Sequence, residues 1–260
     1  MNVVVTLGNS AVDTWVIAKR NLLRYLRLPR LLFFSSIQPI IFLTLFNFVF
    51  GGAIGGEVPG GKYINYLLPG ILVQTTLFGA LNTGVGLAED MGRGIVDRFR
   101  SLPMSRAAVM AGRTVSDMLR NVVVIAIMLS MGAIYGFRFQ DGFLNAILMI
   151  LLVLAFSFAF SWVAAYIGLT VGDTETAQLA GFVIIFPLTF ASAAFVPVES
   201  MASWLQVFAR NQPITFAVDA ARQLALGIPS NGAIWKLLLW ILGILAVFIP
   251  LSIWRYRTRT

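Results

Sequence analysis

Residues 143–170 read FLNAILMILLVLAFSFAFSWVAAYIGLT, a run without one charged side chain. About 20 predominantly apolar residues are enough for an α-helix to cross the ~30 Å hydrocarbon core of a bilayer, so this stretch predicts a membrane span. It lacks the alternating polarity, about 10 residues at a time, of a membrane β-strand. Working outward, apolar runs at 31–52, 63–87, 109–136, 177–197 and 233–254 predict five more spans. Composition agrees: 58% of the 260 residues are hydrophobic, 12% are charged, and the mean hydropathy is +0.86. A soluble domain carries about 25% charged residues, and half that leaves too little polar surface to coat a soluble globule. The expected fold class is an all-α polytopic membrane protein with six transmembrane helices.

The first run has a basic flank and a small-residue exit at Gly51, Gly52 and Ala53, as a signal peptide has. Its apolar length exceeds the roughly 7–15 residues of a signal, so it is read as a retained span. Orientation follows from Lys and Arg, which favour the cytoplasmic side. Lys19, Arg20, Arg24, Arg27, Arg30, Arg93, Arg98, Arg100, Arg106, Arg113, Arg120, Arg255, Arg257 and Arg259 fall on one side of a six-span chain. Only Lys62, Arg138, Arg210, Arg222 and Lys236 fall on the other, which places both termini in the cytoplasm. The chain then divides into a cytoplasmic segment 1–30, a six-span domain 31–254 and a basic tail 255–260. The net charge of +8 is the mark of that bias and of contact with anionic lipid rather than of nucleic acid.

Two segments do not span. In 12–30, Trp15, Ala18, Leu22, Tyr25 and Leu26 share one helical face, while Lys19, Arg20, Arg24, Arg27 and Arg30 gather on the other. Such a helix lies in the headgroup plane, facing lipid or a cytoplasmic partner, or simply anchors the topology. The external connection 198–232 is long for a loop and holds amphipathic material, Trp204 to Phe208 and Phe216 to Leu224. It predicts short helices that re-enter toward the membrane, where polar backbone is tolerated only against protein or a wet cavity.

Several chemistries are excluded. Cys and His are absent, which removes thiolate and imidazole metal sites, triad hydrolysis and histidine proton relays. Gly56 to Lys62 fits the nucleotide-loop spacing, but Tyr63 follows where Ser or Thr is needed, and no strand precedes it. Ion-coupled transport needs an ionisable group in the bilayer; the fourth to sixth spans offer none at mid-depth, and Asp117 and Arg120 are spaced to pair with each other. The uncharged polar groups Gln74, Asn82, Thr189 and Ser192 are candidates for lining a route.

The segment 89–106, EDMGRGIVDRFRSLPMSR, is charged in both signs. Glu89 and Asp90 favour a helix N-terminus, Ile95, Phe99 and Leu102 form one apolar stripe, and Pro103 ends or turns the helix. A short helix of this kind, fixed to two spans, suits insertion into a cleft on a partner; a solvated loop has no need of Phe99.

Glu89, the run Gly94 to Pro103 and Arg106, followed by Gly112-Arg113 and Asp117, resemble the ABC-2 type permeases, daunorubicin-resistance-like drug exporters above all. Tyr66-Leu-Leu-Pro69-Gly70, Phe195-Val-Pro197 and Asn211-Gln-Pro213-Ile-Thr215 with Asp219 and Arg222 fit the same pattern in order, over about 15–227. The resemblance implies a prokaryotic plasma (inner) membrane exporter with two permease subunits, identical or homologous, above two ATP-binding cassette ATPase subunits. It implies an ATPase-coupling helix within 89–106, carried by Glu89, Arg93, Gly94, Ile95, Asp97, Arg98, Phe99, Arg100, Leu102, Pro103 and Arg106. It also implies an external re-entrant gate at Asn211, Pro213, Thr215, Asp219 and Arg222. ATP and Mg would sit on the partner, with no catalytic residue, metal or cofactor on this chain. The cargo expected is an amphiphilic drug-like molecule or a lipid. A polysaccharide or glycolipid cargo, an ion-gradient-driven drug transporter, and a membrane enzyme using Asp173 and Glu175 stay open as alternatives.

Overall fold

The computed structural model describes residues 14–16, 18–19, 29–54, 62–94 and 106–258, with the backbone alone at 29–35, 53–54, 106–110 and 257. The described residues form helices joined by turns, with no strand among them. In chain order they form α1 (Pro29–Ile54), α2 (Tyr63–Gly92), α3 (Arg106–Ile134), α4 (Gly142–Val171), α5 (Thr174–Phe190), a 3-10 turn at Val198–Ser200, α6 (Ser203–Asn211), α7 (Pro213–Leu226) and α8 (Ala233–Thr258). Among the described residues α2, Ala111–Ile134 of α3, α4 and Ala233–Tyr256 of α8 are long and apolar enough to cross a membrane, while Ser36–Gly52 and Thr174–Phe190 are shorter apolar helices.

α2 is the central column, packed against α1, α3, α4, α5 and α7, and every residue from Tyr63 to Gln74 is buried. Apolar burial drives little helix association in lipid, so close packing and interhelical hydrogen bonds must do it. Ala80, Gly84 and Ala88 on α2 recur every fourth residue, as do Ala164 and Gly168 on α4. The backbones touch there: a Cβ on Gly84 would lie 2.2 Å from the Ala164 carbonyl oxygen, and one on Gly168 would lie 2.2 Å from that of Gly84. At one end, Leu87, Trp162, Leu169 and Tyr256 close a smaller apolar cluster between α2, α4 and α8.

α4 ends where Gly172 adopts a left-handed φ of 91°, and its N–H returns to the Gly168 carbonyl. α5 begins at once under Asp173, whose carboxylate accepts the Thr176 N–H at 2.7 Å. That backbone bond holds the Asp173 carboxyl below the usual range.

The run expected to span 177–197 is helical only to Phe190; residues 191–196 turn instead. At ~1.5 Å per residue, α5 covers about 25 Å, short of the ~30 Å core. The freed carbonyls are taken by side chains from α2 and from the α6–α7 pair. Pro213, at the first turn of α7, and an extended Gln212 set the angle between α6 and α7.

Candidate transport site

α2 and α3 run antiparallel, and polar groups meet along their seam at three- and four-residue steps, one face of each helix. Arg113 Nη1 donates to Asp90 Oδ2 at 2.7 Å and to the Gly86 carbonyl at 2.9 Å. Thr83 Oγ1 donates to Asp117 Oδ2 at 2.6 Å. Arg120 Nη2 donates to the Gly79 carbonyl at 2.6 Å and to Asn121 Oδ1 at 3.3 Å. Asn121 Nδ2 passes the chain to Ser157 Oγ on α4 at 2.9 Å, and Ser157 donates to the Thr76 carbonyl at 2.8 Å. Buried charges are costly unless paired and hydrogen-bonded, and this seam supplies both anions and carbonyls. Glycine makes the approach possible, since a Cβ on Gly86 would fall 1.4 Å from Arg113 Nη2. Arg120 lies seven residues, ~10 Å, farther along α3 than Arg113.

The deep end of the seam opens on a cavity of about 400 Å³ between α1, α2, α3 and α5. Its polar wall is Gln38, Gln74, Thr75, Asn82, Arg120, Asn121 and Gln178, and its aromatic wall is Phe42, Phe78 and Phe182. From Phe78 a chain of rings leads away through Phe182, Phe186, Phe190 and Phe195, with successive centroids 6.0, 4.9, 4.4 and 5.0 Å apart. Phe46 of α1 joins it at Phe195, 4.8 Å away.

That rail ends at a lock built on backbone carbonyls. Arg222 of α7, 5% exposed, donates from Nε to the Tyr66 carbonyl at 3.0 Å and from Nη2 to the Ala193 carbonyl at 2.7 Å. Its Nη1 meets Asp219 at 3.4 Å. Tyr66 and Tyr63 hydroxyls donate to the Ala193 and Phe195 carbonyls, both at 3.1 Å. Gln212 Nε2 donates to the Leu188 and Ala191 carbonyls, and Thr215 Oγ1 accepts the Ala193 N–H at 3.3 Å. The described residues hold no group of three or more His, Cys, Asp or Glu placed for a metal.

Residues 12–226 match the ABC-2 type transporter family. The chain belongs to the ABC-2 type transporter family. The daunorubicin resistance ABC transporter permease protein DrrB1 of Streptomyces coeruleorubidus is 32% identical over 240 residues, 92% of this chain and 84% of that protein. The doxorubicin resistance ABC transporter permease protein DrrB of Mycobacterium tuberculosis is 32% identical over 196 residues, 72% of this chain and 67% of that protein. As an ABC-2 family member the chain is a multi-pass membrane permease of the ATP-binding-cassette kind, and the family implies a partner ATPase.

In this ABC-2 permease the expected gate residues Pro213, Thr215, Asp219 and Arg222 share one helix, and Thr215 and Arg222 meet the 191–195 turn. Asn211 instead is exposed and donates to the Val207 carbonyl of its own helix at 2.8 Å. Gln74 and Asn82 line the cavity; Thr189 and Ser192 do not. Both are fully buried and bond to their own helix end, Thr189 to the Ile185 carbonyl and Ser192 to that of Thr189. Glu89 and Arg93 form an ion pair at 2.8 Å just before Gly94, which turns the chain with a φ of 68°. Trp15 is exposed. Arg20, Arg24, Arg27, Ile95, Asp97, Arg98, Phe99, Arg100, Leu102 and Pro103 lie outside the described residues, and Arg106 is described by its backbone alone. Asp117 and Arg120, spaced to pair with each other, each reach across to α2. The Arg113–Asp90 pair, the glycine carbonyls and the phenylalanine rail went unread, although Phe182, Phe186 and Phe190 recur every fourth residue.

Proposed function

We propose that this chain is the transmembrane permease subunit of an ATP-driven exporter that carries an amphiphilic drug-like molecule or a lipid out of the cytoplasm or the inner leaflet. α1, α2, α3, α4, α5 and α8 are its six spans in a prokaryotic plasma membrane, with both termini cytoplasmic, and α6–α7 is its external re-entrant element. Two such subunits, identical or homologous, stand on two ATPase subunits that hold ATP and Mg; this chain binds neither and catalyses nothing. Ile95 and Phe99 fill a cleft on the ATPase, Arg98 and Arg100 pair with acids at its rim, and Pro103 sets the angle back to α3.

The observation that carries this reading is the continuity of the α2–α3 seam with the cavity. A push on the segment between Gly94 and Arg106 reaches Arg113–Asp90 first, and that seam ends at Arg120 and Asn121 in the cavity wall. A volume of about 400 Å³ suits a drug-sized ligand, whose pockets run to roughly 300–1,000 Å³, better than a polysaccharide. The two relatives are named for resistance to daunorubicin and doxorubicin, and the phenylalanine rail favours an aromatic cargo.

The test is uptake of a fluorescent aromatic amphiphile by vesicles holding the permease with its ATPase. Uptake should require ATP, and Phe186→Leu should raise KM about two- to tenfold, the worth of one ring–ring contact. Uptake driven by a proton gradient without any ATPase would sink the exporter reading in favour of a secondary transporter. ATP hydrolysis that stays coupled to uptake in Phe99→Ala would remove the docking role.

A further inference from the structure

On the outer side of α8, away from the seam, a groove of about 510 Å³ runs along the helix. Leu239, Trp240, Gly243 and Val247 line its length, and Phe216 of α7 forms part of the wall. One cation stands at its end: Lys236 Nζ lies 5.4 Å from the Phe216 ring centroid, and none of the ion pairs among the described residues involves Lys236. The neighbouring Trp235 is 74% exposed and Leu239 is 69% exposed, as side chains in contact with lipid are. Trp marks the headgroup level of a bilayer, and a Lys there keeps its ammonium in the interface while its stem lies on apolar surface. From Lys236 to Phe248, the lining residue farthest along α8, is twelve residues, ~18 Å. That is close to half the ~30 Å hydrocarbon core, the depth of one leaflet. Gly243 makes the notch, since a Cβ there would meet nothing within 4 Å.

We propose that this groove holds the acyl chain of an anionic phospholipid of the non-cytoplasmic leaflet, with the headgroup phosphate at Lys236. Length, polarity and charge all select this occupant: an apolar slot one leaflet deep, capped by a single cation that has no anionic partner among the described residues. The lipid touches Phe216 on the same helix as Arg222, two turns away, so it braces the external lock against the bilayer. Its leaflet rests on the orientation proposed above; its retention does not depend on transport, so failure of either is told apart.

The test places the permease–ATPase complex in nanodiscs of phosphatidylcholine containing phosphatidylglycerol, then counts retained lipid by native mass spectrometry. One phosphatidylglycerol per permease chain should survive release, and phosphatidylcholine should not. Lys236→Gln should lower retention about fivefold, the worth of one basic residue near an anionic surface. Gly243→Leu fills the notch and should abolish it, while Gly243→Ala should leave it nearly intact. Equal retention in Lys236→Gln, or of both lipids, overturns the anionic site; equal retention in Gly243→Leu, or aromatic amphiphile held in place of lipid, overturns the groove. If Gly243→Leu does not fold, the Lys236→Gln comparison and the lipid preference decide alone.

Discussion

The guanidinium of Arg222 lies 3.4 Å from the centroid of the Tyr66 ring while its Nε donates to the carbonyl of the same residue. Both side chains also donate to one acceptor, the Ala193 carbonyl. The two are therefore a single unit, and their energies should not add. Arg222→Leu removes the charged donor from the Tyr66 and Ala193 carbonyls, at ~1.5–3 kcal/mol, and Tyr66→Phe removes one hydroxyl bond worth ~1 kcal/mol. A double-mutant cycle on thermal unfolding in detergent should give a coupling energy of about 0.5–3 kcal/mol. Additive losses would show the contacts to be independent. Arg222→Lys should rescue little, because an ammonium cannot span the carbonyls that the planar fork reaches.

The seam between α2 and α3 predicts a pair of matching defects. Arg113→Met removes a charged hydrogen bond worth about 1.5–3 kcal/mol, and the Asp90 side chain it abandons is only 12% exposed. Gly86→Ala should give the same loss of ATP-coupled uptake with Arg113 intact, because the new methyl group occupies the place of the guanidinium. Uptake by the two variants, compared at equal protein level, checks this.

The α2–α4 crossing tolerates no added atom. Gly84→Ala and Gly168→Ala should each destabilise by about 1–3 kcal/mol as overpacking substitutions, read as a lower unfolding midpoint. Gly132→Ala should cost less than either, since its Cβ would meet the end of the Leu68 side chain rather than backbone.

Asp173 gives a pH signature outside the spans. Its carboxyl titrates below the ordinary value because the Thr176 N–H stabilises the anion. A group lowered on folding adds stability above its unfolded pKa, about 3.9. That stability drains away as pH falls through the lower folded value. Amide exchange at Thr176 should therefore be slower in the parent than in Asp173→Ala near neutral pH, with the difference vanishing in strong acid. An unchanged difference at low pH would contradict the cap.

How much of this was legible in the residues depends on distance along the chain. The run 143–170 became α4, Gly142–Val171, because length and apolarity alone decide a span. The run 177–197 overreached because Ala191 to Val196 are as apolar as the helix before them. What halts α5 is a set of donors more than twenty residues away on α6–α7 and over a hundred away on α2. Arg113 counted as a topology charge and Asp90 as an acid at a helix N-terminus, whereas Asp90 stands in the last turn of α2; the two sit 23 residues apart on two sides of a hairpin. The order of motifs did reveal the family, and Pro213 to Arg222 did fall on one helix.

The end of α5 has one more consequence. The partners of Arg222, Tyr63 and Gln212 in the 191–195 turn are main-chain oxygens, which every amino acid possesses. The grip therefore does not depend on which side chains the turn carries, and its close approach to α2 is kept by Gly70, where a Cβ would lie 2.1 Å from the Ala194 oxygen. The side chains that grip, at 63, 66, 212 and 222, are specified by their chemistry, while the handle is anonymous. A permease built this way can change a side chain of the turn and keep every bond of the latch.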